Sequence, residues 1–145
     1  TFIAAMMLML FSNTSFANEC ELSISATDTM QFDKKQLSVP AGCKEVTLTL
    51  IHSGQLPKSA MGHNWVLSKA GDMQAIANEG MAAGAGNSFV KPGDTRVITH
   101  TKIIGGGEST SITFSITDLD PKEDYRFFCS FPGHWAIMQG SFSIK

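Results

Sequence analysis

The chain has 145 residues, of which 43% are hydrophobic and 17% charged, with a formal net charge of −2. That balance describes one globular domain with an ordinary core, and excludes a disordered chain or an integral membrane protein. No basic stripe or run of like charge occurs, which disfavours nucleic acid as a partner.

Residues 1–17 (TFIAAMMLMLFSNTSFA) carry no charge and contain a short apolar run from Phe2 to Phe11. Small residues at Ser15 and Ala17 occupy the −3 and −1 positions of a cleavage site. The run is too short to span a bilayer and reads as a secretory signal truncated at its start. A mature domain over 18–145, without a membrane span, is the corresponding expectation. Alternating apolar and polar residues then predict strands around Leu22–Ala26, Gln31–Val39, Val46–Leu50, Asn64–Ser68, Thr95–Thr101, Ile112–Ile116, Tyr125–Ser130 and Ser141–Lys145. The pattern points to an all-β, antiparallel sandwich of about eight strands. One segment departs from it. Met73, Ile76, Ala77 and Met81 recur at helical spacing, predicting a single inserted helix near 72–83 with Asp72 as N-cap and Gly84 as stop.

Three cysteines are present. In an oxidising compartment two of them pair, and a Cys20–Cys43 bridge would tie the first strand to the third, stabilising by about 3 kcal/mol. Cys129 is left over. It opens Cys129-Ser-Phe-Pro-Gly-His134-Trp-Ala-Ile-Met138, where Pro132 and Gly133 favour a tight turn that folds thiolate, imidazole and thioether toward one point. A second imidazole is available at His63, in Met61-Gly62-His63-Asn64-Trp65. Two histidines, a cysteine and a weak axial methionine form the donor set of blue-copper centres, so one copper ion alternating between Cu(I) and Cu(II) is the expected cofactor. Taken alone, Met138 or a buried Cys129 would more often be core filler.

These segments resemble the azurin family of bacterial periplasmic cupredoxins. CSFPGHWAIM, MGHNWVL, the Cys20–Cys43 pair, the His-Thr-Lys segment at His100 and the one-helix insertion all fall in order across the mature chain. The resemblance implies a Greek-key cupredoxin sandwich. It implies His63, Cys129 and His134 as equatorial ligands, Met138 as a long axial ligand, and the Gly62 carbonyl on the opposite side. Asn64 would tie the two ligand-bearing segments, and the Phe131 N–H would face the Cys129 sulfur. His52 continues the parity of Val46, Leu48 and Leu50 and should face inward, near the site. An apolar docking patch of Met30, Leu56, Met61, Met81, Phe131 and Pro132 would surround an exposed edge of His134, whereas His100 should lie on the surface. The implied activity is single-electron transfer by a monomer, not an enzyme, in the periplasm. Implied partners are redox proteins such as c-type cytochromes, nitrite reductase, or a periplasmic dehydrogenase or peroxidase. Trp135 stands where many relatives carry a small residue, and would either extend the patch or shield the loop.

Two other readings compete. A copper oxidase or nitrite-reductase domain needs a second, catalytic copper bound by several histidines, and only four histidines occur in the chain. A metal-storage protein should be richer in Cys, Met or His clusters.

Overall fold

Alternation of apolar and polar side chains lets a strand bury one face and wet the other, and the short strands here pair on that basis. The computed structural model describes residues 19–145, so the signal segment expected at 1–17 lies outside the described residues. The described strands are β1 (Glu21–Ala26), β2 (Gln36–Val39), β3 (Glu45–His52), β4 (Val66–Lys69), β5 (Thr99–His100), β6 (Ser109–Ser115), β7 (Tyr125–Phe128) and β8 (Gln139–Ile144). They form one sheet of order β1-β3-β6 and a second of order β2-β8-β7-β4-β5. Strands β2 and β5 are shorter than the alternation predicts, at four and two residues.

The sandwich is not wholly antiparallel. Strands β1 and β3 run parallel, as do β2 and β8, while the remaining pairs are antiparallel. Period-two patterning specifies which face of a strand is buried and is silent on the direction of its neighbour, so the expectation of an antiparallel sandwich is corrected here. A Cys20–Cys43 disulfide sits beside the start of the β1–β3 pair, where Thr47 N–H also donates to the Cys20 carbonyl.

Between the sheets lie Ile24, Val46, Leu48 and Leu50 on one side and Trp65, Leu67, Phe127 and Phe142 on the other, all buried. Each such side chain contributes about 2 kcal/mol of apolar transfer energy. Trp65 stacks on Phe127 at 5.9 Å between ring centroids. Its indole N–H is buried with no hydrogen-bond partner among the described residues, an unpaired donor set in apolar surroundings.

Two helical segments interrupt the strands. Helix α1 (Lys58–Met61) is a four-residue turn, too short for hydrophobic periodicity to register. Helix α2 (Met73–Ala83) follows a 3-10 turn at Ala70–Asp72 and stops at Gly84, whose φ of +77° only glycine adopts readily. Asp72 holds the N-cap position, but its side chain makes no capping bond. The buried face of α2 is Ile76, Ala77 and Gly80, packed with Val66, Val90 and Phe128. Met81, which shares that helical spacing and also belongs to the predicted apolar patch, lies off the buried face and is 49% exposed. At Gly80 the Phe89 carbonyl fills the space of a Cβ, so the chain over 89–90 covers that stripe of the helix. Among the described residues, no helix is long and apolar enough to cross a membrane.

Candidate metal centre

At one end of the sandwich, β7 runs into the Cys129–Met138 loop, and backbone bonds close that loop on itself. Phe131 O accepts from His134 N–H (3.0 Å), and His134 O accepts from Met138 N–H (2.8 Å). Met138 O in turn accepts from Cys129 N–H (3.1 Å). Gly133 supplies the left-handed residue the turn requires, with φ of +82°. The His63 segment enters from the other side, held to Ile104 by reciprocal backbone bonds of 3.0 and 2.9 Å. Gly62 lies so close to Lys58 O, the Ile103 methyl and the Phe131 ring that a Cβ could not be accommodated.

The two segments are fastened by Asn64. Its Oδ1 accepts from Ser130 N–H (2.8 Å), while its Nδ2–H₂ donates to Ser130 Oγ (2.8 Å) and to Ser88 O (2.9 Å). All three bonds involve buried or part-buried groups, which makes the connection costly to break.

His63, Cys129 and His134 come together there. Cys129 Sγ lies 3.8 Å from His63 Nδ1 and 3.6 Å from His134 Nδ1. The three donor atoms all fall within 4.8 Å of one another and could hold a metal ion. Such separations suit an ion roughly 2.0–2.3 Å from each donor. The three residues are buried, with His134 only 2% exposed; the exposed imidazole edge expected from its turn position is covered. His63 Nε2–H donates to Thr27 O at 2.7 Å, which leaves Nδ1 as the unprotonated nitrogen facing the sulfur. That carbonyl has no side-chain signature, and sequence reasoning missed it.

Burial dominates the acid–base behaviour of all three groups. It pushes the Cys129 thiol up to about 12, opposed by the backbone N–H groups of Asn64 and Phe131 that face the sulfur. It pulls His63 down to about 4, against the Thr27 bond, and His134 to about 4 as well, with His63 adding to the effect. Without metal, the site therefore holds neutral imidazoles and a protonated thiol at neutral pH, and a bound cation has to displace the thiol proton.

Of the remaining predicted residues, Gly62, His52 and Phe131 lie against this cluster. Gly62 O is 4.0 Å from the Cys129 sulfur, and Met138 is 1% exposed beneath the loop. Phe131 places its ring 4.5 Å from that of His134 and meets Phe89 edge-on at 5.3 Å. His52 is buried and stacks on His63 at 4.6 Å, its Nδ1 accepting from Gly54 N–H and its Nε2–H donating to Met61 O. His100 stands outside the cluster, half-buried rather than fully on the surface, with Nδ1 bonded to Thr101 O (2.8 Å). Leu56 (42%), Met81 (49%) and Pro132 are exposed, and Met30, Met61 and Phe131 are half-buried. Ile137, between His134 and Met138, is 63% exposed and was not anticipated; its position beside two predicted ligands was the available signal. Trp135 is half-buried and, like Met73 and Val97, packs against the α2 cluster.

A two-sheet sandwich carrying a buried Cys–His–His cluster at one end belongs to the class of metal-binding β-sandwiches whose donors suit copper. Residues 18–145 match the profile of copper binding proteins of the plastocyanin/azurin family. Over 134 residues the chain is 53% identical to azurin of Bordetella pertussis (92% of this chain, 89% of the relative). It is 56% identical over 122 residues to azurin-1 of Alcaligenes xylosoxydans xylosoxydans (84% and 95%). Among solved structures, azurin Az-iso2 of Methylomonas sp. strain J superposes with a TM-score of 0.84 at 48% identity, covering 87% of this chain and 98% of that one. The chain belongs to the plastocyanin/azurin family of copper binding proteins.

Proposed function

We propose that the protein is a monomeric single-electron carrier of the periplasm, in which His63, Cys129 and His134 would hold copper strongly and Met138 and the Gly62 carbonyl would be weaker donors. The observation that carries this reading is the meeting of one sulfur and two Nδ1 atoms within 4.8 Å, in a buried shell held by backbone bonds. Copper supplies a Cu(II)/Cu(I) couple when bound, and this donor set suits both states. The protein's part is to keep the donors still. The closed loop fixes Cys129 relative to His134, Asn64 fixes that loop to the His63 segment, and Thr27 fixes the His63 ring. A rigid donor set lowers the rearrangement that accompanies each electron. The N–H groups of Asn64 and Phe131 stabilise the thiolate form of Cys129.

Partners would approach over the loop, where Leu56, Met61, Phe131, Pro132 and Ile137, flanked by Met30 and Met81, offer apolar surface suited to brief encounters. Redox proteins such as c-type cytochromes, nitrite reductase, or a periplasmic dehydrogenase or peroxidase are the proposed donors and acceptors. The Cys20–Cys43 bridge supports an oxidising compartment, in keeping with a signal segment at 1–17.

Visible and electron paramagnetic resonance spectra of the copper-loaded protein test the centre. An intense blue thiolate-to-copper band with narrow copper hyperfine splitting is expected, and a colourless Cu(II) form rejects the reading. Met61→Glu should slow electron exchange with a c-type cytochrome while the spectrum stays unchanged; an unaltered rate removes the patch from the proposal.

A further inference from the structure

Asp28 lies in the turn after β1, outside the Cys–His–His cluster. Its carboxylate accepts two backbone bonds, from Gln55 N–H to Oδ2 at 2.7 Å and from Leu56 N–H to Oδ1 at 3.2 Å. Gly54 makes the approach possible, because a Cβ there would collide with the carboxylate. The preceding residue, Thr27, presents the carbonyl that receives His63 Nε2–H. On the other side of the clamp, Gly54 N–H bonds to Nδ1 of His52, whose ring lies against His63. One carboxylate thus joins two of the walls around His63: the turn at its Nε2 edge and the 52–56 segment behind its stacked neighbour. The turn itself contains Met30 at φ +59°, a conformation that a non-glycine residue keeps only when its surroundings hold it.

The carboxylate is also a charge. The Gln55 N–H, foremost, holds Asp28 below the usual carboxyl range against its partial desolvation, and the Leu56 N–H adds to the effect. It is ionised at neutral pH.

We propose that Asp28 is a positioning residue for the metal centre, fixing the Thr27 carbonyl on His63 Nε2–H and lending a negative charge that favours the oxidised ion over the reduced one. The inference rests on the electron-carrier reading. A negative charge near the centre stabilises Cu(II) more than Cu(I), so removing it moves the equilibrium toward the reduced state. Removing the bonds as well should loosen the turn and expose the His63 Nε2 proton to exchange.

The test uses the copper-loaded protein equilibrated with a hexacyanoferrate(II)/(III) couple, in which one electron passes from hexacyanoferrate(II) to Cu(II), giving hexacyanoferrate(III) and Cu(I). Asp28→Asn keeps the shape and one acceptor but removes the charge, and should shift this equilibrium about three- to ten-fold toward Cu(I). Asp28→Ala should give the same shift and, in the metal-free protein followed by nuclear magnetic resonance, speed exchange of the His63 Nε2 proton about ten-fold or more. Asp124→Asn, at the opposite end of β7 from Cys129, should change the equilibrium less than about two-fold. Wild-type equilibrium and exchange in both Asp28 variants overturn the proposal, as does an equal shift in Asp124→Asn. A parent protein that binds Cu(II) without a blue band fails the electron-carrier reading instead, which keeps the two failures apart.

Discussion

The Cys129–Met138 loop and the insertion over 72–98 both depart from the strand pattern, but they are held by opposite kinds of interaction. The loop closes through buried, uncharged bonds: its own backbone pairs, and the Asn64 side chain that reaches Ser130. The insertion carries an ion-pair cluster. Arg96 bonds Asp94 at 2.8 Å and Glu79 at 2.6 Å, with Lys91 nearby at 3.7 Å from Glu79. Glu79 is largely exposed, whereas the Asp94 side chain is 3% exposed. The contrast separates what has to be stationary from what only has to cover. Neutral bonds in a dry site are insensitive to salt and costly to lose, while exposed ion pairs contribute little and are screened.

Substitutions can break the comparison at either end. The largest effect should come from Cys129→Ser, which removes the sulfur donor: the blue band should vanish completely in the visible spectrum, while the metal-free fold, read by circular dichroism, persists. Asn64→Ala should follow, because it leaves Ser130 N–H without its partner and the Ser88 carbonyl with one fewer donor. We expect a loss of about 2–4 kcal/mol in denaturant unfolding of the metal-free protein, together with an altered copper spectrum. An undiminished unfolding midpoint would show that the loop stands without that connection.

Acid should act on the two regions in separate pH windows. Burial depresses His63 and His134 from 6.5 to about 4, so the unfolded chain takes up protons first. Stability of the metal-free protein should therefore fall as pH drops from 6.5 to about 4, where the contribution of these two histidines levels off. Bound copper should suppress this loss until protons compete for the imidazoles. In the insertion the pH window lies lower. The Arg96 guanidinium, foremost, holds Asp94 below its ordinary value of 3.8. The pair's contribution is thus fully present above that value and fades only as pH falls through the folded one. Denaturant titrations of the metal-free protein against pH resolve the two phases. The smallest effect should be that of Lys91→Met, whose partner Glu79 is exposed as it is: a slight fall in the thermal midpoint that shrinks further in high salt, with the blue band unmoved. A changed copper spectrum in that variant would show the insertion shaping the site after all.

The inward parity of β1, β3, β6 and β8, the Cys20–Cys43 pairing and the termination of α2 at Gly84 were all legible, since each rests on a pattern or residue type that acts over a few positions. Direction was not. Leu22–Ala26 alternates in the same way whether β3 runs beside it or against it, and the parallel β1–β3 pair follows from the path of the intervening chain. The four residues of α1 fell below the length at which helical periodicity is visible.

The candidate site divides the same way. Spacing between Cys129, His134 and Met138 around Pro132 and Gly133 was enough to predict a soft-metal loop, because the residues are local and the turn chemistry is written in their side chains. The sequence by itself determined the donor types, the strand faces and the cysteine pairing. Only the tertiary structure decided that Thr27 O would orient His63, that Asp28 would clamp the turn bearing that carbonyl, that His134 would be covered and Ile137 exposed, and that Trp135 would pack toward α2. The reason is physical. Backbone carbonyls are alike in every residue, and the exposure of an apolar side chain depends on what distant segments bring over it, so neither leaves a mark that can be read locally.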